Sequence, residues 1–126
     1  MKRVVIILLA AALAVALFAC TPQGEERTLE AVTFTVIVIA QDGEAEALPV
    51  TTYYTYLVDA LLEIDLIEGE ESAMGLMVTH VNGIRADFVQ DGAWWQVFVD
   101  GEPSMVGISS IRVEPDTTYT FEFTPA

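Results

Sequence analysis

From Val32 to Ala40 the chain alternates with a period of two. Val32, Phe34, Val36, Val38 and Ala40 fall on one face of an extended segment, Thr33, Thr35, Ile37 and Ile39 on the other. The second face begins polar and turns apolar, the pattern of a central strand with at least one fully covered side. Asp42-Gly43 signals a turn, and "EALPV" reads as a strand returning from it. In "TTYYTYLVDALLEIDLIEGEES" the spacing changes: Leu57, Ala60, Leu61 and Ile64 recur at three and four residues, one apolar stripe of a helix that Leu62 and Leu66 widen. Thr52 or Thr55 can serve as its N-cap, and Gly69 marks a point beyond its end. Extended segments follow: "GLMVTHV", the turn Asn82-Gly83, "IRADF", "AWWQVFV" closed by Asp100-Gly101, and "TTYTFEF" after Pro115-Asp116. Two strands, a helix and several more strands predict an α+β fold, with one helix packed on a mixed sheet of about four to six strands.

The strand "AWWQVFV" carries both tryptophans side by side, and pleating sends neighbouring side chains to opposite faces. Trp95, Val97 and Val99 form a uniformly apolar set, expected to face the helix. Trp94, Gln96, Phe98 and Asp100 mix large aromatics with polar groups, so Trp94 is expected to point away from the helix. A wet Trp94 and Phe98 would forgo several kcal/mol of burial at about 25 cal/mol per Å². Two readings follow: this face is a ligand or partner surface, or the loop "GEPSMVGISS" folds over it as a small second core.

The first twenty residues, "MKRVVIILLAAALAVALFAC", stand apart from this pattern. Lys2 and Arg3 precede an apolar run from Val4 to Phe18. As a helix that run reaches about 22 Å, short of the ~30 Å hydrocarbon core, so residues 1–19 read as a signal peptide rather than a span. Leu17-Phe18-Ala19-Cys20 resembles a bacterial lipobox, which implies lipidation of Cys20 and cleavage before it. Cys20 is the only cysteine, so no internal disulfide competes for it. Thr21 to Ala31, "TPQGEERTLEA", has the composition of a polar linker, so residues 20–31 are expected to form a tether and residues 32–126 the domain. Removing 19 of 126 residues leaves 107, enough for one domain with a real core. Arg27, Arg85 and Arg112 are then the only basic residues against 19 acidic ones, a formal charge of −16. Such a surface repels nucleic acid and anionic lipid headgroups.

Catalytic chemistry finds little support. His80 is the only histidine, so neither a Ser/His/Asp arrangement nor a two-histidine metal site is favoured, and His80 is expected to be an ordinary strand residue. Glu68, Glu70 and Glu71 lack the ligand spacing of a calcium loop and read as an exposed polar turn. No catalytic residue, metal ligand or cofactor is expected, and the chain is read as a non-enzyme.

"TYLVDALLEIDLI", "GLMVTHVNG", "AWWQVFVDGEPSMVGI" and "TTYTFEF", in that order, resemble the bacterial secreted domain similar to the C-terminal β-domain of transcobalamin and intrinsic factor. Trp94-Trp95-Gln96 sits where that family tends to have Tyr-Trp-Gln. Gly101, Pro103, Gly107 and Ile108 follow its glycine turn, proline, and Gly-Val or Gly-Ile. Val58 replaces the usual glycine of the helix. The resemblance covers Val32 to Thr124 and implies a β-grasp-like fold. In the animal carriers this domain closes over cobalamin against a separate helical-barrel domain, which 107 residues do not accommodate.

The expectation is therefore a lipid-anchored protein on the extracytoplasmic face of the cell membrane. Its domain would bind a corrinoid or another small flat ligand, or pass it to an envelope transporter, through Trp94, Trp95, Phe98 and Met105, within a surface that includes the loop from Glu102 to Gly107. The rival reading is an interaction module docking on another surface protein through the same aromatic patch or an open sheet edge.

Overall fold

A computed structural model describes residues 27–126. The proposed signal peptide and Cys20 lie outside the described residues.

The first alternating segment forms β1 (Arg27–Ile39), which returns as β2 (Ala45–Tyr54) through the Asp42-Gly43 turn. β1 begins at Arg27, inside the stretch read as a tether. Arg27 pairs with Tyr54, and an irregularity separates that pair from Val32 opposite Thr52. A polar composition alone did not show that Tyr54 offers a partner, its ring lying 4.7 Å below the Arg27 guanidinium.

The helix, α1, is short, Leu57–Glu63. Its buried stripe is Leu57, Val58, Ala60 and Leu61, whereas Ile64 and Leu62 are exposed. Neither Thr52 nor Thr55 caps it. Tyr56 occupies the N-cap without a side-chain bond, and the Leu57 N–H donates to the Ile111 carbonyl at 2.8 Å. Tertiary structure thus satisfies a donor that a threonine was expected to meet.

Gly69 does lie beyond the helix end but inside a strand, and Glu68, Glu70 and Glu71 are not a turn. They belong to β3 (Ile67–Ser72), antiparallel to β4 (Gly75–Val81). Asn82 and Gly83 both have positive φ, 52° and 78°, as a type I′ turn requires, and lead into β5, which is only Ile84–Arg85. "IRADF" leaves the strand at Ala86, whose side chain is buried. These three strands form a second, antiparallel sheet beyond the one expected, in the order β3-β4-β5.

The main sheet has five strands. β6 (Ala93–Val99), the short β7 (Glu102–Pro103) and β8 (Thr118–Pro125) complete the order β2-β1-β8-β6-β7. Only β1 and β8 are parallel, so the sheet is mixed and the α+β class holds. Its inner face carries Phe34, Val36, Val38, Val50, Trp95, Tyr119 and Phe121, all buried. Against it pack α1, Ile67 and Val81 of the small sheet, and Ile108, Ile111 and Val113 from the connection before β8. Phe34 meets Tyr119 edge to face at 5.2 Å. The Tyr119 hydroxyl donates to the Arg112 carbonyl and accepts from the Glu114 N–H, each at 3.0 Å, pinning that connection; burial pushes its pKa up.

Candidate functional site

Pleating separates the two indoles as expected. Trp95, opposite Phe123 of β8, is 5% exposed, while Trp94, opposite Thr124, is 41% exposed. What covers Trp95 differs from expectation. Its Nε1–H donates to the Thr79 carbonyl at 3.3 Å, so β4 of the small sheet, not α1, lies over it. The helix instead packs beside β2, β3 and the short 3-10 turn Ile108–Ser110. Residue hydrophobicity said that this face is covered but not by what.

β6 pairs with β8 along its whole length, whereas β7 on its other side reaches only Phe98 and Val99. Beside the remaining edge lies a cleft of about 230 Å³. Leu76, Met77 and Val78 of β4 form one wall, Trp94, Trp95 and Val97 the other, and Val106, Gly107 and Ile108 the end. Trp94 belongs to one face of β6, Trp95 and Val97 to the other. A cleft touched by both faces must run along the strand edge.

A second cleft of about 440 Å³ shares Met77, Val78 and Trp94 with the first and continues to Thr79, Ala86, Phe88 and Val89, with Glu70 and Asp87 as its charged residues. Two depressions of about 370 Å³ by the β1–β2 turn, bordered by Ala40 and Ile84, carry no aromatic side chain. The paired clefts around Trp94 are therefore the better candidate: mostly apolar, with a few polar groups.

Of the residues singled out in the sequence, the structure brings Trp94 and Trp95 into one cleft. Phe98 lies opposite Thr120 and Pro103 and lines neither cleft. Met105 is 94% exposed beside Val106 and lines neither. The loop from Glu102 onward does not fold over Trp94. It turns toward β4, where Ser109 Oγ accepts the Leu76 N–H at 3.0 Å and Ile108 is buried. Met77, Val78, Phe88 and Val89 were missed, whereas Val106 and Gly107 of the loop from Glu102 to Gly107, singled out in the sequence, do line the first cleft. Phe88-Val89 did leave a trace in the sequence: two large apolar residues between turn-forming ones.

The loop after β5 holds that pair outward. Arg85 donates through Nε and Nη2 to the two carboxylate oxygens of Asp91, at 2.9 and 3.0 Å. Asp91 also accepts the Asp87 N–H, and Asp87 Oδ1 accepts the N–H groups of Val89 and Gln90. Phe88 and Val89, 67% and 92% exposed, stand at the tip of a fixed loop. The hydrogen bonds from Arg85, then from the Asp87 N–H, hold the Asp91 carboxyl below its ordinary range, and Asp91 in turn raises Arg85. A lowered folded-state value means that this bracing is present above the ordinary carboxylate range and lost as pH falls through the lowered value. We expect protection of the Asp87 amide, normalised to its intrinsic exchange rate, to fall over that acid window, and to be missing at neutral pH in Asp91→Asn. Equal protection in both proteins would show that the loop does not need the pair.

Among the described residues, no three of His, Cys, Asp or Glu converge closely enough to hold a metal ion. His80, opposite Glu68 and Arg85 in its sheet, lies 2.9 Å through Nδ1 from the Thr79 hydroxyl, as an ordinary strand residue would. The three described arginines are engaged elsewhere: Arg27 near Glu63 and over Tyr54, Arg85 with Asp91, Arg112 over Tyr56.

A family model described as Domain of unknown function (DUF4430) matches residues 51–125. No curated protein matches the chain. Among solved structures, one from Ruminococcus gnavus ATCC 29149, titled a "putative metal binding protein", superposes with a TM-score of 0.71 at 24% identity, over 75% of this chain and 98% of that one. Haptocorrin in complex with Cbi superposes with a TM-score of 0.64 at 18% identity, over 85% of this chain but 27% of that one. At such identities the likeness is one of fold. The domain is transcobalamin-like in architecture, as the sequence resemblance implied.

Proposed function

The chain belongs to the family described as Domain of unknown function (DUF4430), and from that premise we propose that it is a small-molecule-binding domain whose site is the pair of clefts meeting at Trp94. The observation that carries this reading is the half-exposed indole of Trp94, shared by both clefts with Met77 and Val78. A flat ring and the flexible Met77 thioether suit a large, flat, partly apolar ligand. Neither cleft has a basic lining residue, and Glu70 and Asp87 border one of them, so the ligand is neutral or cationic rather than anionic. A corrinoid fits this description, and the likeness to haptocorrin in complex with Cbi supports trying it first. Open clefts would cover only part of so large a molecule, leaving the remainder for a transporter that receives it.

In this proposal residues 1–19 are a signal peptide, Cys20 carries the lipid anchor on the extracytoplasmic face of the membrane, and the two sheets and helix form a β-grasp-like variant.

Titrating the mature protein with cobinamide or cobalamin by calorimetry tests the corrinoid version. Binding in the micromolar range is expected, and no heat at high micromolar ligand would end it. Trp94→Ala should weaken binding about 10- to 100-fold, the range for truncating an aromatic anchor, while changing stability by less than about 1 kcal/mol. Phe98→Ala, outside both clefts, should leave affinity unchanged.

A second reading is favoured by one observation: Phe88 and Val89 stand largely exposed at the tip of the braced loop. An interaction module would use them against another envelope protein. Phe88→Ala should then abolish capture of that partner, and capture by the unaltered protein should persist after small molecules are dialysed away.

A further inference from the structure

β6 is an edge strand for most of its length. The Val97 carbonyl points away from β8 and accepts the Ser104 N–H at 2.8 Å. Backbone groups two residues apart on an antiparallel strand face the same side, so the Val97 N–H and both backbone groups of Trp95 face that edge too. The Ala93 N–H, next in the row, meets the Asp87 carbonyl at 3.4 Å. Between these two fixed ends, no strand pairs with β6 on that side among the described residues. Exposed edges are templates for strand addition, and natural proteins commonly blunt them with lysine, proline or a covering segment. "AWWQV" has neither lysine nor proline, and the cleft leaves the edge open.

The surroundings indicate what would pair there. An added strand sends successive side chains to opposite sides, and those on one side are about 6.6–6.8 Å apart. One set would meet Met77 and Val106, which are exposed and apolar; the other would emerge beside Trp94 on the outer face. Glu70 and Asp87 border the adjoining cleft, and the chain has 19 acidic residues against 5 basic ones. A second copy of this chain would bring the same acidic surface to the same place and be repelled. We propose that the open edge of β6 from Ala93 to Val97 pairs with an extended peptide segment of a partner protein, one that alternates apolar and basic residues. This goes beyond the ligand reading and does not depend on it, because the groups that recognise the partner are backbone amides.

The test uses a capped peptide of about eight residues alternating valine and lysine, added to the unaltered mature protein while amide exchange is followed. The Trp95 and Val97 amides should gain protection of about tenfold or more at saturating peptide. The gain should vanish when the peptide amides facing β6 are N-methylated, which keeps every charge and apolar group but removes the pairing. It should also vanish when glutamate replaces lysine. The proposal is overturned if those amides stay unprotected, if the N-methylated or glutamate peptide protects them equally, or if they are protected without peptide in a self-associated form. Since the protein is unaltered throughout, no arm fails through misfolding, and a negative result leaves the corrinoid titration standing.

Discussion

Trp95→Ala is expected to cost about 3–5 kcal/mol, the range for removing a large buried aromatic from a core that cannot collapse around the gap. The indole is 5% exposed, meets Phe123 edge to face at 5.8 Å, and donates to the Thr79 carbonyl. It therefore joins the five-stranded sheet to the small one, and its loss leaves a cavity and removes that link, although the Thr79 carbonyl still accepts the Ala86 N–H at 2.8 Å. A domain of this size has about 5–15 kcal/mol in total, so the variant should unfold at much lower urea concentration and lose about 15–30 °C in Tm. The neighbouring Trp94→Ala is the internal control. If the two variants were equally destabilised in urea, the assignment of one indole to the core and the other to the clefts would fail.

Gly69→Ala should be the next most damaging change, at about 1–3 kcal/mol or somewhat more. Gly69 lies at the irregularity where β3 shifts register against β4. A Cβ there would press on the Met77 carbonyl oxygen, lie 2.9 Å from its carbon and 3.1 Å from Val78 Cα. These are backbone atoms, so no rotamer change relieves the contact; β3 must move away from β4. Because Met77 and Val78 wall both clefts, ligand affinity should fall together with stability, although Gly69 lines neither cleft. Urea denaturation and calorimetry on the same preparation check both effects. Wild-type stability with an alanine at 69 would mean that the two strands are not packed as closely as this geometry requires.

The legible parts of the fold were those that a local pattern encodes. Alternation over Val32–Ala40 and Ala93–Val99 located two strands of the main sheet and assigned their faces, and Asn82-Gly83 marked a hairpin because few other pairs tolerate positive φ twice. The helix was located but overextended. Leu62 and Ile64 fit its period, yet the chain leaves the helix after Glu63, and Leu66 and Ile67 are buried by other elements. The run Glu68–Glu71 was misread because an edge strand facing water has no apolar alternation to betray it; β4 alone defines it.

The candidate site was half legible. The tryptophan pair pointed to β6, since burial of one indole forces the other outward. Phe98 shares Trp94's face and was grouped with it, but β7 pairs at Phe98 and the clefts open further along the strand. Met77 and Phe88 come from elements far from β6 in sequence, so nothing local could join them to Trp94.

What the residues decided alone is the class of element at each central stretch, which of two adjacent indoles is sheltered, and an acidic surface with no cation to spare. Those follow from side-chain period and charge, properties that each segment carries wherever it is placed. Only the tertiary structure decided that a second sheet rather than the helix covers Trp95, that β7 stops short and leaves an edge, and that Met77, Phe88 and Trp94 share one surface. Such outcomes depend on which distant segments find each other, and loop lengths and packing choose among partners that local pattern treats alike.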